Sequence, residues 1–120
     1  MAGTEDLANG TLVLLSPEEA KALHDRGDIV FVDVRNPEEF AAARIKGSAL
    51  HPLKELEPDA IPVEQRKIVL VCAVGIRSRI AADALMEGGR GPIAHLEGGL
   101  QAWAEAGLPI ESGEPSEHKI

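Results

Sequence analysis

The sequence predicts an α/β domain with a mainly parallel sheet flanked by helices. Three observations predict it. Short apolar runs recur along the chain, most clearly at Ile29 to Val34 and at Lys67 to Cys72. They are nearly continuous rather than alternating, which suits strands buried on both faces of a parallel sheet. Between them lie segments with helical apolar spacing or with helix-start signals, and a strand–helix alternation implies a parallel sheet covered by its own crossovers.

The elements follow in order. Met1 to Gly10 is polar and is read as a flexible N-terminus over residues 1–10, with the domain over 11–110 and a polar tail over 111–120. Thr11 to Leu15 is the first strand. Ser16-Pro17-Glu18-Glu19 is a capping box with Pro at the first helical position, opening a helix to about Arg26 that Gly27 ends. Ile29 to Val34 is a strand, and Asn36-Pro37-Glu38-Glu39 repeats the capping logic for a short helix to about Ala43. Gly47 breaks the chain before a short strand within Ser48 to His51. Pro52 to Pro62 is turn-rich, with one helical turn near Lys54 to Leu56. Lys67 to Cys72 is the clearest buried strand, and Ala73 to Ile76 a tight loop. From Arg77 the spacing is helical, with Ile76, Ile80 and Ala84 on one row and Ala81 and Leu85 beside it, ending at Gly88-Gly89. Ile93 to Leu96 is the last strand; Gly98-Gly99 then turns into a helix over Leu100 to Ala106, stopped by Gly107 and Pro109.

Composition narrows the function. At 120 residues, 44% apolar and 27% charged, the chain is one globular domain with an aliphatic core, since it has no Tyr, one Trp and two Phe. A net charge of −8 argues against nucleic acid and against anionic membranes as partners. A single cysteine excludes an internal disulfide, and no secretory signal or membrane span is read, so a reduced thiol in the cytoplasm is the expectation.

Cys72 ends the clearest strand, and ligands of such sheets bind beyond the carboxyl ends of the strands. Its segment reads Cys72-Ala73-Val74-Gly75-Ile76-Arg77-Ser78 and leads into a helix. The first N–H groups of a helix lack internal partners and favour an anion, so a thiolate or persulfide is stabilised there. Gly75 lets the backbone curl, Arg77 offers a charge for an oxyanion, and Ser78 caps the helix or donates to sulfur. A cation at a helix N-terminus is electrostatically unfavourable, which favours a functional reason for Arg77. The bland alternative is that Cys72 is merely a small apolar residue, and the Gly, Arg and Ser at these offsets weigh against it.

With these residues in view, the sequence resembles the rhodanese superfamily along nearly its whole length. Cys72 to Ser78 is similar to the family's Cys-x-x-Gly-x-Arg-Ser loop. Ser16 to Ala20 resembles its first helix start, Val32-Asp33-Val34-Arg35 with Pro37 to Phe40 its Asp-Val-Arg strand end and following helix, and Ile45-Lys46-Gly47-Ser48 its Ile-x-Gly-Ala segment. Leu96 to Trp103, then Gly107-Leu108-Pro109, resembles its Gly-Gly-x-x-x-Trp helix and exit. Arg44 stands where the family often has His. The resemblance implies a three-layer fold with a five-stranded, mainly parallel sheet. It implies a sulfurtransferase of the thiosulfate type in which Cys72 takes sulfur from thiosulfate or a persulfide donor and passes it to a thiol, cyanide or an acceptor protein. No cofactor and no metal are implied beyond the covalent persulfide.

Ala73, Val74, Gly75, Ile76, Arg77 and Ser78 are the expected substrate cradle, with Asp33, Arg35 and Arg44 in support: Asp33 and Arg35 to orient the loop, Arg44 on the active-site side. Arg79 and Asp83 are spaced for a helical ion pair, and Trp103 suits core packing. His24, His51, His95 and His118 lack metal-ligand spacing. His51, after a strand, is the candidate for a Cys–His pair, although the helix field makes such a base unnecessary. Two alternatives stand: a phosphatase or arsenate reductase, whose loop needs five residues between Cys and Arg where this chain has four, and a non-catalytic binding or redox-sensing module. Nothing in the sequence calls for more than a monomer or weak dimer.

Overall fold

The computed structural model describes residues 3–57, 61 and 67–113. The distal part of the turn-rich segment, the tail after Gly113 and His118 with it lie outside the described residues.

The strands are β1 (Gly3–Leu7), β2 (Gly10–Leu15), β3 (Ile29–Asp33), β4 (Ala49–Leu50), β5 (Lys67–Val71) and β6 (Ile93–Leu96). The helices are α1 (Pro17–Asp25), α2 (Pro37–Ala42), α3 (Ile76–Glu87) and α4 (Gly99–Glu105), with a 3-10 turn at Leu53–Glu55. The sheet order is β1-β2-β6-β5-β3-β4, parallel throughout except that β1 pairs antiparallel with β2.

The predicted α/β architecture is therefore present, and the helix starts form as read. Ser16 Oγ accepts from the Glu19 N–H at 3.1 Å while Glu19 accepts from the Ser16 N–H at 2.9 Å. Successive β5 residues bury themselves on opposite faces. Leu70 and Cys72 join Leu12, Val32, Val34, Ala81, Ala82 and Leu85 under α3. Val69 and Val71 join Phe31, Leu96, Leu100 and Trp103 on the other side, where α1 and α4 lie. The Trp103 ring meets Phe31 edge-on at 5.6 Å, and its Nε1–H donates to the Pro109 carbonyl at 2.8 Å. That is the core role expected of Trp103.

Three expectations are corrected. Among the described residues the sheet has six strands rather than five, because Gly3–Leu7 is a strand and not a frayed end. The hairpin turns through Ala8-Asn9, with Leu7 paired to Gly10, and so lacks an Asn-Gly pair at its two central positions to mark it in the sequence. An edge strand needs no apolar alternation, so its polar composition concealed it. Second, Arg79 and Asp83 do not pair with each other. Arg79 binds Glu5, and Asp83 accepts from the Asn9 backbone at 2.9 Å and side chain at 3.1 Å, so both tie the hairpin to α3.

Third, Arg44 is a structural clasp. It is buried, with its ring-facing carbon 4.8 Å from the Phe40 ring centre. It donates to the carbonyls of Phe40 and Gly113, each at 2.9 Å, and pairs with Glu111 at 3.3 Å. Arg44 and Glu111 also exchange backbone hydrogen bonds at 2.9 Å. All these partners belong to α2 or to the start of the tail, none to the Cys72 loop. A buried cation holding carbonyls is costly to remove, so Arg44→Ala is expected to lower stability by roughly 3 kcal/mol in urea unfolding. The rate at which small electrophiles label Cys72 below the unfolding transition should not change.

Candidate active site

β5 ends at Val71, and the chain reaches α3 through Cys72, Ala73, Val74 and Gly75. So short a connection needs a sharp reversal, and Gly75 supplies it at φ 100°, a conformation that L side chains rarely adopt. The curl brings the Gly75 N–H back onto Cys72 Sγ at 3.0 Å. From the first turn of α3, buried Ser78 places its Oγ 3.5 Å from the same sulfur. Cys72 is only 1% exposed. Its sulfur therefore has one backbone donor and one hydroxyl beside it at the N-terminus of a twelve-residue helix, a surrounding that favours negative charge on sulfur.

The loop is held from behind by α4. The Leu100 N–H donates to the Cys72 carbonyl at 2.8 Å and the Gln101 N–H to the Ala73 carbonyl at 3.0 Å. Gly99 makes this approach possible, since a Cβ there would stand 2.5 Å from both carbonyl oxygens. The Gly98-Gly99 pair thus serves the loop as well as the turn into the helix.

Of the other expected residues, Arg77 and Ser78 are at the loop; Asp33 and Arg35 are not in hydrogen-bond contact with it. Arg35 forks onto Asp33 at 2.9 and 2.8 Å and donates to the Ala43 carbonyl at 2.6 Å. Both charges are buried, and the pair joins the end of β3 to the end of α2. Arg77 makes a bidentate pair with Glu39 at 2.7 and 2.9 Å. Hydrogen bonding to Arg77 is the main reason the Glu39 carboxyl is held down to about 2, helped by the Asn36 N–H and opposed by partial burial. Arg77 is correspondingly raised, first by Glu39, with smaller effects of Cys72 and Asp33.

Two residues at the site went unrecognised in the sequence. Glu39 was visible only as a helix-capping residue, and its second partner comes from 38 residues away. His95 is buried on β6, with Nδ1 2.8 Å from Ser78 Oγ. The histidine linked to the sulfur's surroundings is thus His95; for His51 the structure gives a backbone N–H donating to the Asp33 carbonyl at 2.8 Å. The phase of α3 also differs from the one read. Ile76 and Ile80 are 65% and 53% exposed, and Ser78, Ala81, Ala82 and Leu85 face the core. Burial of Ser78 against His95 and Cys72 sets this phase and leaves Val74, Ile76 and Ile80 as exposed apolar surface near the loop.

Fold and loop together define a class: an α/β domain whose single cysteine sits in an anion-favouring turn between a central strand and a helix. The Rhodanese-like domain model matches residues 16–106, and the chain belongs to that family. It is 39% identical over 100 residues to an uncharacterized protein of Synechocystis, covering 82% of this chain and 56% of that one. It is 36% identical over 97 residues to a sulfurtransferase of Allochromatium vinosum, covering 79% and 90%. The thiosulfate sulfurtransferase of Pseudomonas aeruginosa superposes with a TM-score of 0.75 at 30% identity, over 84% of this chain and 20% of that one.

The Arg77–Glu39 pair has a defined pH signature. The folded-state carboxyl lies below its ordinary value of 4.5, so the pair stabilises fully above that pH and the gain is lost as pH falls towards 2. Because the pair is about one-third exposed, the effect should be no more than about 1 kcal/mol. Glu39→Gln should therefore unfold more readily than wild type at pH 6, by Trp103 fluorescence in urea, and indistinguishably near pH 2.

Proposed function

We propose that the chain is a sulfurtransferase that carries a sulfane sulfur as a persulfide on Cys72. Membership of the rhodanese-like family and the sulfurtransferase among its relatives support sulfur transfer in general. The observation that carries the finer reading is the Cys72 sulfur meeting the Gly75 N–H at the start of α3.

In the first step the Cys72 thiolate attacks the outer sulfur of the donor. With thiosulfate, the S–S bond breaks and its electron pair leaves with sulfite. With a persulfide donor, it leaves with the donor thiolate. The Cys72 persulfide holds its charge on the outer sulfur, where N–H groups of the loop from Ala73 to Ser78 stabilise it. In the second step a thiol, cyanide or acceptor protein attacks that outer sulfur and Cys72 returns as thiolate. No metal or organic cofactor takes part in this scheme, and a reducing compartment such as the cytoplasm suits a carrier thiol.

Arg77 attracts an anionic donor, but it must do so while shared with Glu39. Four residues between Cys72 and Arg77 make a loop sized for sulfur rather than for a tetrahedral phosphoryl group, which disfavours a phosphatase. The retained cysteine and its donors disfavour a purely binding module.

The test is intact mass after mixing with thiosulfate, beside a Cys72→Ser control. A gain of roughly 32 Da that cyanide removes, absent from the control, is expected. If wild type with a reduced thiol gains no sulfur from thiosulfate or from a glutathione persulfide, the persulfide reading is wrong.

A further inference from the structure

Cys72 is enclosed, so when its thiol becomes a thiolate the proton needs an acceptor inside the site. The structure places one. The Cys72 S–H points to Ser78 Oγ at 3.5 Å, and Ser78 Oγ lies 2.8 Å from His95 Nδ1. Sulfur, hydroxyl and imidazole form one chain from the end of β5 through the first turn of α3 to β6. Serine, histidine and cysteine are all buried there. The His95 ring also lies close to the loop itself, since a Cβ on Gly75 would come within 3.7 Å of it.

We propose that His95, acting through Ser78, is the positioning residue that takes up the Cys72 proton and turns the Ser78 hydroxyl towards the sulfur. This rests on the sulfurtransferase reading for its purpose but not for its test. The S–H bond of Cys72 breaks and leaves its electron pair on sulfur. The proton joins Ser78 Oγ as the hydroxyl's own proton passes to His95 Nδ1. Thiol and neutral imidazole become thiolate and imidazolium, with no change in total charge. Afterwards the direction of each hydrogen bond is reversed: His95 donates to Ser78, and Ser78 donates to sulfur. Neutral His95 with Nδ1 unprotonated holds the Ser78 proton to itself, so the sulfur gains this donor only once Nδ1 carries hydrogen.

Burial lowers His95 below its ordinary 6.5, which keeps the imidazole neutral as the relay's starting state requires but works against the imidazolium it must form. Glu5 of β1 favours the imidazolium and Arg79 of α3 opposes it, and these two are paired with each other. On the sulfur side Arg77 is itself paired with Glu39. Leu14 of β2 and Leu70 of β5, which flank His95 in the sheet, carry no charge.

The measurement is an ultraviolet thiolate titration, which reads Cys72 alone because the chain has one cysteine and no tyrosine. His95→Asn offers Ser78 a hydrogen-bonding group but cannot take a proton. Its thiolate midpoint is expected to rise by about one pH unit, leaving about tenfold less thiolate below the midpoint and an equal amount well above it. Ser78→Ala should shift the midpoint similarly, and the double variant no further. A midpoint unmoved in folded His95→Asn would show that the histidine only fills a hydrogen bond, and would overturn the proposal. Should that variant not fold, an unmoved midpoint in Ser78→Ala overturns it equally. The titration uses no sulfur donor. A shifted midpoint in a protein that gains no sulfur mass would therefore sink the sulfurtransferase reading and leave the relay standing.

Discussion

The left-handed turn at Gly75 is the constraint on which the site depends. Only three residues separate Val71 at the end of β5 from Gly75, where the chain turns into α3. A residue with a Cβ would be strained at this φ. Relaxing the turn would withdraw the Gly75 N–H from the sulfur and rotate α3 about its axis. Because Ser78 lies three residues further on, the same rotation would take its hydroxyl away from Cys72 and from His95. One backbone angle therefore holds a backbone donor and a side-chain hydroxyl at the same sulfur. The carbonyls behind the turn are fixed in the same way, by the N–H groups of Leu100 and Gln101.

The site is built with its charges already answered. Arg35 is committed to Asp33, Arg77 to Glu39 and Arg79 to Glu5. In a chain of net charge −8, these arginines add little unopposed positive potential near the loop. What stabilises an anionic sulfur is then chiefly short-range: a helix N-terminus, the Gly75 N–H and a hydroxyl. Such donors act only at short range, whereas a free cation acts on any anion that approaches.

The sequence disclosed the parts of the fold that depend on local chemistry. The apolar runs at Ile29 and Lys67 and the capping box at Ser16 need only neighbours in sequence to be read, and each forms where expected. The Cys72 loop was legible for the same reason, since its Gly, Arg and Ser lie within seven residues. Long-range pairings were not legible. Glu39 and His95 reach the site from α2 and β6, and Arg44 finds its partners in the tail rather than at the sulfur. The misread phase of α3 has the same origin. Isoleucine rows dominate a hydrophobic pattern, yet a small polar residue with two buried partners turned the helix instead.

That last case explains why polar burial matters here beyond stability. Ser78 in a core position is acceptable only if its hydroxyl is satisfied, and His95 is acceptable only if Nδ1 is. Each satisfies the other, so both stay buried at little cost. The side effect is that Val74 of the loop and Ile76 and Ile80 of α3 face outward as exposed apolar surface. The residues that arrange the sulfur inside thus also determine the surface outside it.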